Sequence, residues 1–237
     1  MNEKEFDIFF REKCFENNIN ILPKDIKKFY LYMNSLMEWN NKINLTAIKD
    51  EKGIIIKHFI DSIIIGKELV GKNIIDIGSG AGFPGIPLKL IDNDLNLTLI
   101  DSVNKKVNFM NYIIDMLGLT NTFSIHIRAE ELAHNFKYRE AYDVVVSRAV
   151  ANMSTLVEYM IPFVKIGGKA ICLKGPNSKE EIDISKGAIE KLGGEIEKIL
   201  EYKIDENERC LVIIKKIKST EQIYPRKQGK PLKEPLR

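Results

Sequence analysis

The sequence predicts an α/β protein built on a mostly parallel sheet with one reversed strand, preceded by a helical segment. Three observations carry that reading. From Gly71 onward, short apolar runs alternate with segments of helical periodicity, the pattern of a parallel sheet covered on both faces. A glycine-rich stretch, Asp76-Ile77-Gly78-Ser79-Gly80-Ala81-Gly82-Phe83-Pro84-Gly85, joins the first apolar run to the helix after it. The last two apolar runs are linked by Asp205-Glu206-Asn207. A link that short cannot make a parallel crossover, so this pair is expected as an antiparallel hairpin.

The elements follow in order. Ile26, Phe29, Tyr30, Met33, Leu36 and Met37 repeat at the spacing of one helix face. Asp25, just after Pro23, is placed to help cap that helix. Residues 54–69 read as a second helix, with isoleucine runs that leave a strand open. Strands are expected at 73–77, 96–101, 122–127, 142–147 and 169–173, then at about 195–203 and 209–216. Helices are expected at 86–91, 104–117, 152–163 and 178–192, with a short one within 129–136. The chain thus divides into a helical extension (1–70), a sheet domain (71–218) and a tail (219–237). Pro225, Pro231 and Pro235 in a basic context suggest that the tail is loosely held.

Composition narrows the class. The 237 residues are 44% hydrophobic and 29% charged, which excludes a disordered chain. No run reaches the roughly 18 apolar residues of a membrane span, and the opening MNEKEFDIFFREK lacks a secretory signal's apolar core. Cys14, Cys172 and Cys210 are odd in number and never spaced as CxxC, which speaks against a disulfide framework or zinc site and fits a reducing cytoplasm. The net charge of +3 hides an asymmetry: residues 215–237 hold eight bases and two acids. Such a tail suits an anionic partner such as RNA, although it would equally serve solubility.

Glycines let a backbone turn sharply and approach a ligand closely, and the adjoining helix start offers free N–H groups. In an open α/β sheet, ligands bind at this rim. Asp101 ends the second strand, where a carboxylate can accept both hydroxyls of an adenosine ribose. Together they indicate a nucleoside-containing cofactor. Gly80-x-Gly82-x-x-Gly85 formally matches a dinucleotide fingerprint. However, the GxGxG of Gly78, Gly80 and Gly82, preceded by Asp76, resembles the motif of S-adenosylmethionine-dependent methyltransferases, and no room remains for a second substrate domain. Arg128-Ala129-Glu130-Glu131, after the third strand, is placed to meet an adenine or is simply an exposed helix start.

Further segments fit together: Trp39-Asn40-Asn41-Lys42-Ile43-Asn44-Leu45-Thr46-Ala47-Ile48, His58-Phe59-Ile60-Asp61-Ser62, Ser147-Arg148-Ala149-Val150-Ala151, Leu173-Lys174-Gly175 and Tyr224-Pro225-Arg226-Lys227. In this order, with the glycine loop, they closely resemble the ribosomal RNA small subunit methyltransferase G family, also called glucose-inhibited division protein B, over nearly the whole chain. The resemblance implies a class I S-adenosylmethionine-dependent methyltransferase: a Rossmann-like, mostly parallel seven-stranded sheet with one antiparallel strand. It implies methyl transfer to N7 of one guanine in a decoding-region loop of 16S ribosomal RNA. Carried onto matching positions, the cofactor residues would be Gly78 and Phe83, Ala129 and Glu130, and Arg148. Gly80, within the GxGxG, and Asp101, on the ribose argument, join them.

The residues bear on the reaction separately. The place of the (Asp/Asn)-Pro-Pro-aromatic loop, usual for exocyclic amines, holds Ser147-Arg148-Ala149-Val150. Cys172 and Cys210 lie in strands, which disfavours a cysteine nucleophile for C5 methylation. Guanine N7 has a free lone pair and needs no base, so no catalytic base is named; His58, His126 and His134 read as ordinary histidines. Arg148 and Lys174 are expected to hold the cofactor carboxylate or the RNA. Arg226, Lys227 and Lys230 are expected to grip phosphates, so truncation after Ser219 should weaken RNA binding and spare the cofactor. Trp39, Asn40 and Asn44 either wall the cleft or, for Trp39, belong to the core. A monomer acting on 16S RNA or the small subunit is expected. The rivals are a small-molecule methyltransferase of the same fold, a non-catalytic RNA-binding protein with a vestigial pocket and, third, an NAD-dependent oxidoreductase.

Overall fold

A computed structural model describes residues 1–148, 151–176 and 178–237; the Ala149-Val150 part of the fourth-strand motif lies outside them. Helix α1 (Glu3–Glu16) opens with a capping box, in which Asn2 and Glu5 each accept the other's backbone N–H, at 3.0 and 2.9 Å. Helix α2 (Pro23–Asn40) starts on Pro23 without a side-chain cap. Asp25 does not cap it: this carboxylate is buried in the first turn and its Oδ1 has no partner. The 54–69 region is helical rather than strand, but irregular. After α3 (Glu51–Ile54) the backbone widens into a π turn (Ile55–Ile60), returns as α4 (Asp61–Ile63) and ends in a 3-10 turn (Ile64–Glu68).

The sheet comprises β1 (Asn73–Ile77), β2 (Asn96–Asp101), β3 (Thr122–His126), β4 (Tyr142–Arg148), β5 (Val164–Lys174), β6 (Gly194–Ile204) and β7 (Asn207–Lys216), in the order β3-β2-β1-β4-β5-β7-β6. β7 runs antiparallel to both its neighbours and the other neighbouring strands pair parallel, so the hairpin and the single reversed strand stand as expected. β5 begins five residues before its predicted start, because Gly167-Gly168 reads as punctuation in the sequence. Here these glycines serve the strand instead: Gly167 takes φ +85°, and a Cβ on Gly168 would lie 2.6 Å from the Asp143 carbonyl. Between the strands lie α5 (Gly85–Ile91), α6 (Asn104–Leu117), α7 (Ala129–Leu132), α8 (Met153–Met160) and α9 (Lys179–Lys191); α10 (Lys230–Lys233) follows them.

Alternation along the strands sorts the core into two layers. Ile74, Leu97, Leu99, Val144, Val146 and Ile171 pack with α1, α2, α5 and α6; the 1–70 segment is therefore one layer of the fold. Ile75, Ile77, Ile100, Val145, Cys172 and Val212 face α8 and α9. Cys14, Cys172 and Cys210 are all buried free thiols. Trp39 packs on Phe109 and Tyr112, at 5.5 and 5.2 Å, which is the core alternative. No helix among the described residues is long and apolar enough to cross a membrane.

The tail is not loose. Tyr224, Pro231 and Leu236 are buried, and the Arg139 guanidinium donates to the carbonyls of Thr220, Glu221 and Tyr224. Prolines that suggested flexibility instead shape a segment pinned across α8.

Candidate active site

The loop after β1 needs its glycines for two different reasons. Gly78, Gly80 and Gly82 have φ of +69°, +61° and +95°, a region that L side chains rarely adopt. At Gly82 a Cβ would also strike Ile86 Cδ1 at 2.4 Å and Tyr32 Oη at 2.8 Å, whereas one at Gly80 would meet nothing within 4 Å. Gly82 therefore packs inward and Gly80 faces open space. Gly78 N and Ser79 N donate to the Ile100 carbonyl at 2.9 and 3.0 Å, and the buried Tyr32 hydroxyl donates to the Ala81 carbonyl. Helix α5 does not present its first N–H to a ligand, contrary to expectation: Gly85 N donates to Asp76 Oδ2 at 2.8 Å.

Two clefts flank this loop. The larger, about 360 Å³, is bounded by Gly78, Gly80, Phe83, Asp101, Lys106 and Arg148, together with Leu45, Thr46 and His58 from the N-terminal segment. The smaller, about 210 Å³, is bounded by Ile77, Gly78, Ile100, Asp101, Ala129 and Glu130, with Tyr159 and Leu232. Gly78, Gly80, Phe83, Asp101, Ala129, Glu130 and Arg148 each line one or both. Asp101 sits where the clefts meet. Its Oδ2 accepts from Gly80 N at 2.9 Å and its Oδ1 from Val103 N at 2.8 Å, so the acid also fastens the glycine loop.

Arg148 extends from β4 into a cluster that the sequence did not reveal. Its guanidinium lies 5.0 Å from the Phe83 ring centroid and bonds to Asp61 Oδ2 at 3.2 Å and the Lys57 carbonyl at 3.1 Å. A third bond runs from Nη2 to His58 Nδ1 at 3.0 Å. An arginine can only donate, so Nδ1 is the acceptor and the proton sits on Nε2, 2.7 Å from Thr46 Oγ1. The imidazole stacks on Phe83 with centroids 4.5 Å apart. Burial, reinforced by the Arg148 charge, pushes its pKa down to about 3. His58 is thus a neutral ring with both nitrogens engaged. The HFIDS segment was the signal that could have found it.

Other expected residues lie elsewhere. Asn40 fastens the loop before α3, accepting from Leu45 N and Thr46 N at 2.8 and 3.0 Å, and so carries Thr46 to the cleft; Asn44 is exposed. Neither Asn40, Asn44 nor Trp39 lines the clefts. Lys174 lines neither cleft, and its ammonium bonds to Glu181 at 3.0 Å and to the Ala151 carbonyl at 2.9 Å. Arg226 is removed from phosphate gripping, because its guanidinium is engaged by buried Glu158.

Asp76 and His58 oppose each other in acid. Burial pushes the Asp76 carboxyl up to about 7, and its Oδ1 has no partner. With a folded pKa above its ordinary value, Asp76 binds a proton on folding and stabilises the fold as pH falls from about 7 to about 4. His58 has a folded pKa below its ordinary value, so it destabilises the fold as pH falls below about 6.5. An Asp76→Asn variant should therefore lose stability more steeply in this window, by up to about 1.4 kcal/mol per pH unit. Urea unfolding at pH 6.5, 5.5 and 4.5 measures it, and parallel curves for the two proteins would refute the balance.

The donor set fits an adenosyl amino acid. A carboxylate for a ribose diol sits at the junction, an apolar slot of Ile77, Ile100, Ile127 and Ala129 on one side, and a guanidinium on the other. The comparisons agree. The family described as rRNA small subunit methyltransferase G matches residues 25–212. A ribosomal RNA small subunit methyltransferase G from Acetivibrio thermocellus is 47% identical, covering all of both chains. One from Clostridium kluyveri is 49% identical over 94% of this chain and 96% of its own. Among solved structures, M. jannaschii TYW2 in complex with AdoMet has a TM-score of 0.51 at 15% identity, covering 66% of this chain and 77% of that one. A SAM-dependent O-methyltransferase from Thermotoga maritima has a TM-score of 0.52 at 14% identity, covering 78% and 72%.

Proposed function

The chain belongs to the ribosomal RNA small subunit methyltransferase G family, and from that premise we propose that it methylates N7 of one guanine in the decoding-region loop of 16S ribosomal RNA. Its activity class is S-adenosylmethionine-dependent methylation of small-subunit ribosomal RNA. The choice of N7 rests on one observation: among the described residues lining the clefts, the one imidazole is fully bonded and each carboxylate already accepts from the backbone, so no side chain is set aside as a base. His58 has both nitrogens bonded, Asp101 holds two backbone amides, and Glu130 accepts from Gly229 N at 3.3 Å. An acceptor with an exposed lone pair suits such a site, and guanine N7 has one at neutral pH.

When bound, S-adenosylmethionine supplies an electrophilic methyl on a sulfonium. Transfer to N7 would require no proton to be removed by the protein. The protein's part is placement, a contribution worth roughly 7–11 kcal/mol in well-oriented reactions. Asp101 accepts the ribose hydroxyls, Ala129 and Glu130 border the purine, Gly78, Gly80 and Phe83 form the floor, and Arg148 donates to the amino-acid carboxylate. The exposed Lys227 and Lys230 hold RNA phosphates.

Incubation of the protein with labelled S-adenosylmethionine and either naked 16S RNA or intact small subunits tests this. One guanosine should become labelled and, after borohydride reduction and aniline treatment, the strand should break there. Label on a base amine or a ribose would overturn the N7 reading.

A further inference from the structure

The C-terminal segment does more than bear charge. Leu232, on α10, is 62% exposed, yet it stands in the smaller cleft with Ile100, Ile127 and Ala129. Its position is fixed from both sides. The Thr155 hydroxyl donates to the Pro231 carbonyl at 2.9 Å, and Gly229 N donates to Glu130 Oε1 at 3.3 Å, with Gly229 at φ +76°. Arg226 anchors the same segment to Glu158 on α8. A large apolar side chain held in a cleft of about 210 Å³, whose other members border Asp101, is a surface waiting for a flat apolar partner.

We propose that residues 229–232 wall the purine half of the cofactor site, with Leu232 packing on the adenine. This rests on the methyltransferase reading above and deepens it. It also reverses an expectation: removal of the chain after Ser219 takes away a wall of the cofactor site as well as the bases, and cofactor binding is not spared. Adenine is favoured over an RNA base because the cleft shares Gly78, Asp101 and Ser102 with its larger neighbour, so one adenosyl amino acid spans both.

Titration of S-adenosylhomocysteine into the full-length protein and its Leu232→Asp, Leu232→Met and Lys233→Glu variants tests this. Leu232→Asp should raise Kd about tenfold, and Leu232→Met should stay near the wild-type value. Lys233→Glu should leave it unchanged. Melting temperatures without ligand should be alike, because the altered side chains are exposed. Adenosine alone should lose affinity by the same factor as S-adenosylhomocysteine in Leu232→Asp. An unchanged Kd for Leu232→Asp overturns the inference, and if RNA affinity falls instead, the cleft takes an RNA base. A wild-type protein that binds no S-adenosylhomocysteine would sink the methyltransferase reading itself, a result distinguishable from failure of the variant alone.

Discussion

An Arg226→Ala variant should unfold at a markedly lower temperature. Glu158 lies in α8 with no exposed surface, and Arg226 meets it with Nε at 2.9 Å, Nη2 at 2.7 Å and its backbone N–H at 2.7 Å. Removing the guanidinium leaves a buried carboxylate with a single backbone donor. Breaking a buried pair from one side costs about 3 kcal/mol or more, since the remaining charge keeps its desolvation penalty. For a chain of this length that is a fall of roughly 6–12 °C in melting temperature. A Glu158→Leu, Arg226→Met double variant should recover most of the loss, because two apolar side chains carry no such penalty. Calorimetry of the single and double variants decides the matter. A single variant within 1 °C of wild type would mean that the pair does not hold the tail. A double variant as unstable as the single would mean that packing, rather than charge, is the cause.

That pair also shows where sequence reading stops. Periodicity and turn length are local, and they placed β1, β2 and α6 at their observed bounds and identified β7 as the reversed strand. The glycine loop and Asp101 are legible for the same reason: each lies where its own strand ends. Glu158 and Arg226 are 68 residues apart, and His58 and Arg148 are 90 apart. Nothing in the neighbourhood of any of these residues states its partner. Arg226 therefore reads as one base among eight and His58 as an ordinary histidine, although one pins the tail and the other holds the Arg148 guanidinium. Lys174 errs in the opposite direction. Its strand end is on the active rim, but a glutamate in the next helix takes its charge. Charge and position in the sequence place such a side chain near a site, and only its tertiary partners decide whether it is free to act there.

Arg148→Ala should be the most damaging change to activity that leaves the fold standing. Asp61 is buried between two arginines, Arg148 at 3.2 Å and Arg209 at 3.0 Å, with the Tyr202 hydroxyl at 3.4 Å. Loss of Arg148 still leaves this carboxylate a charged partner, so unfolding should shift far less than in Arg226→Ala. The larger cleft, by contrast, loses its only arginine among the described lining residues. Charge-assisted hydrogen bonds contribute about 1.5–3 kcal/mol each, so S-adenosylhomocysteine affinity and kcat/KM should fall about 100-fold. His58 supplies an independent readout. The Arg148 charge helps to hold its pKa down, so in Arg148→Ala the imidazole should titrate higher, while burial, the larger cause, keeps it below the ordinary value. Arg148→Lys separates charge from geometry. An ammonium can restore the bond to Asp61, but it cannot at the same time reach His58 Nδ1 and lie flat over Phe83. Lysine should therefore keep the stability and fail to restore the affinity. Full recovery with lysine would show that a point charge suffices and that the His58–Phe83 arrangement has no part in holding the cofactor.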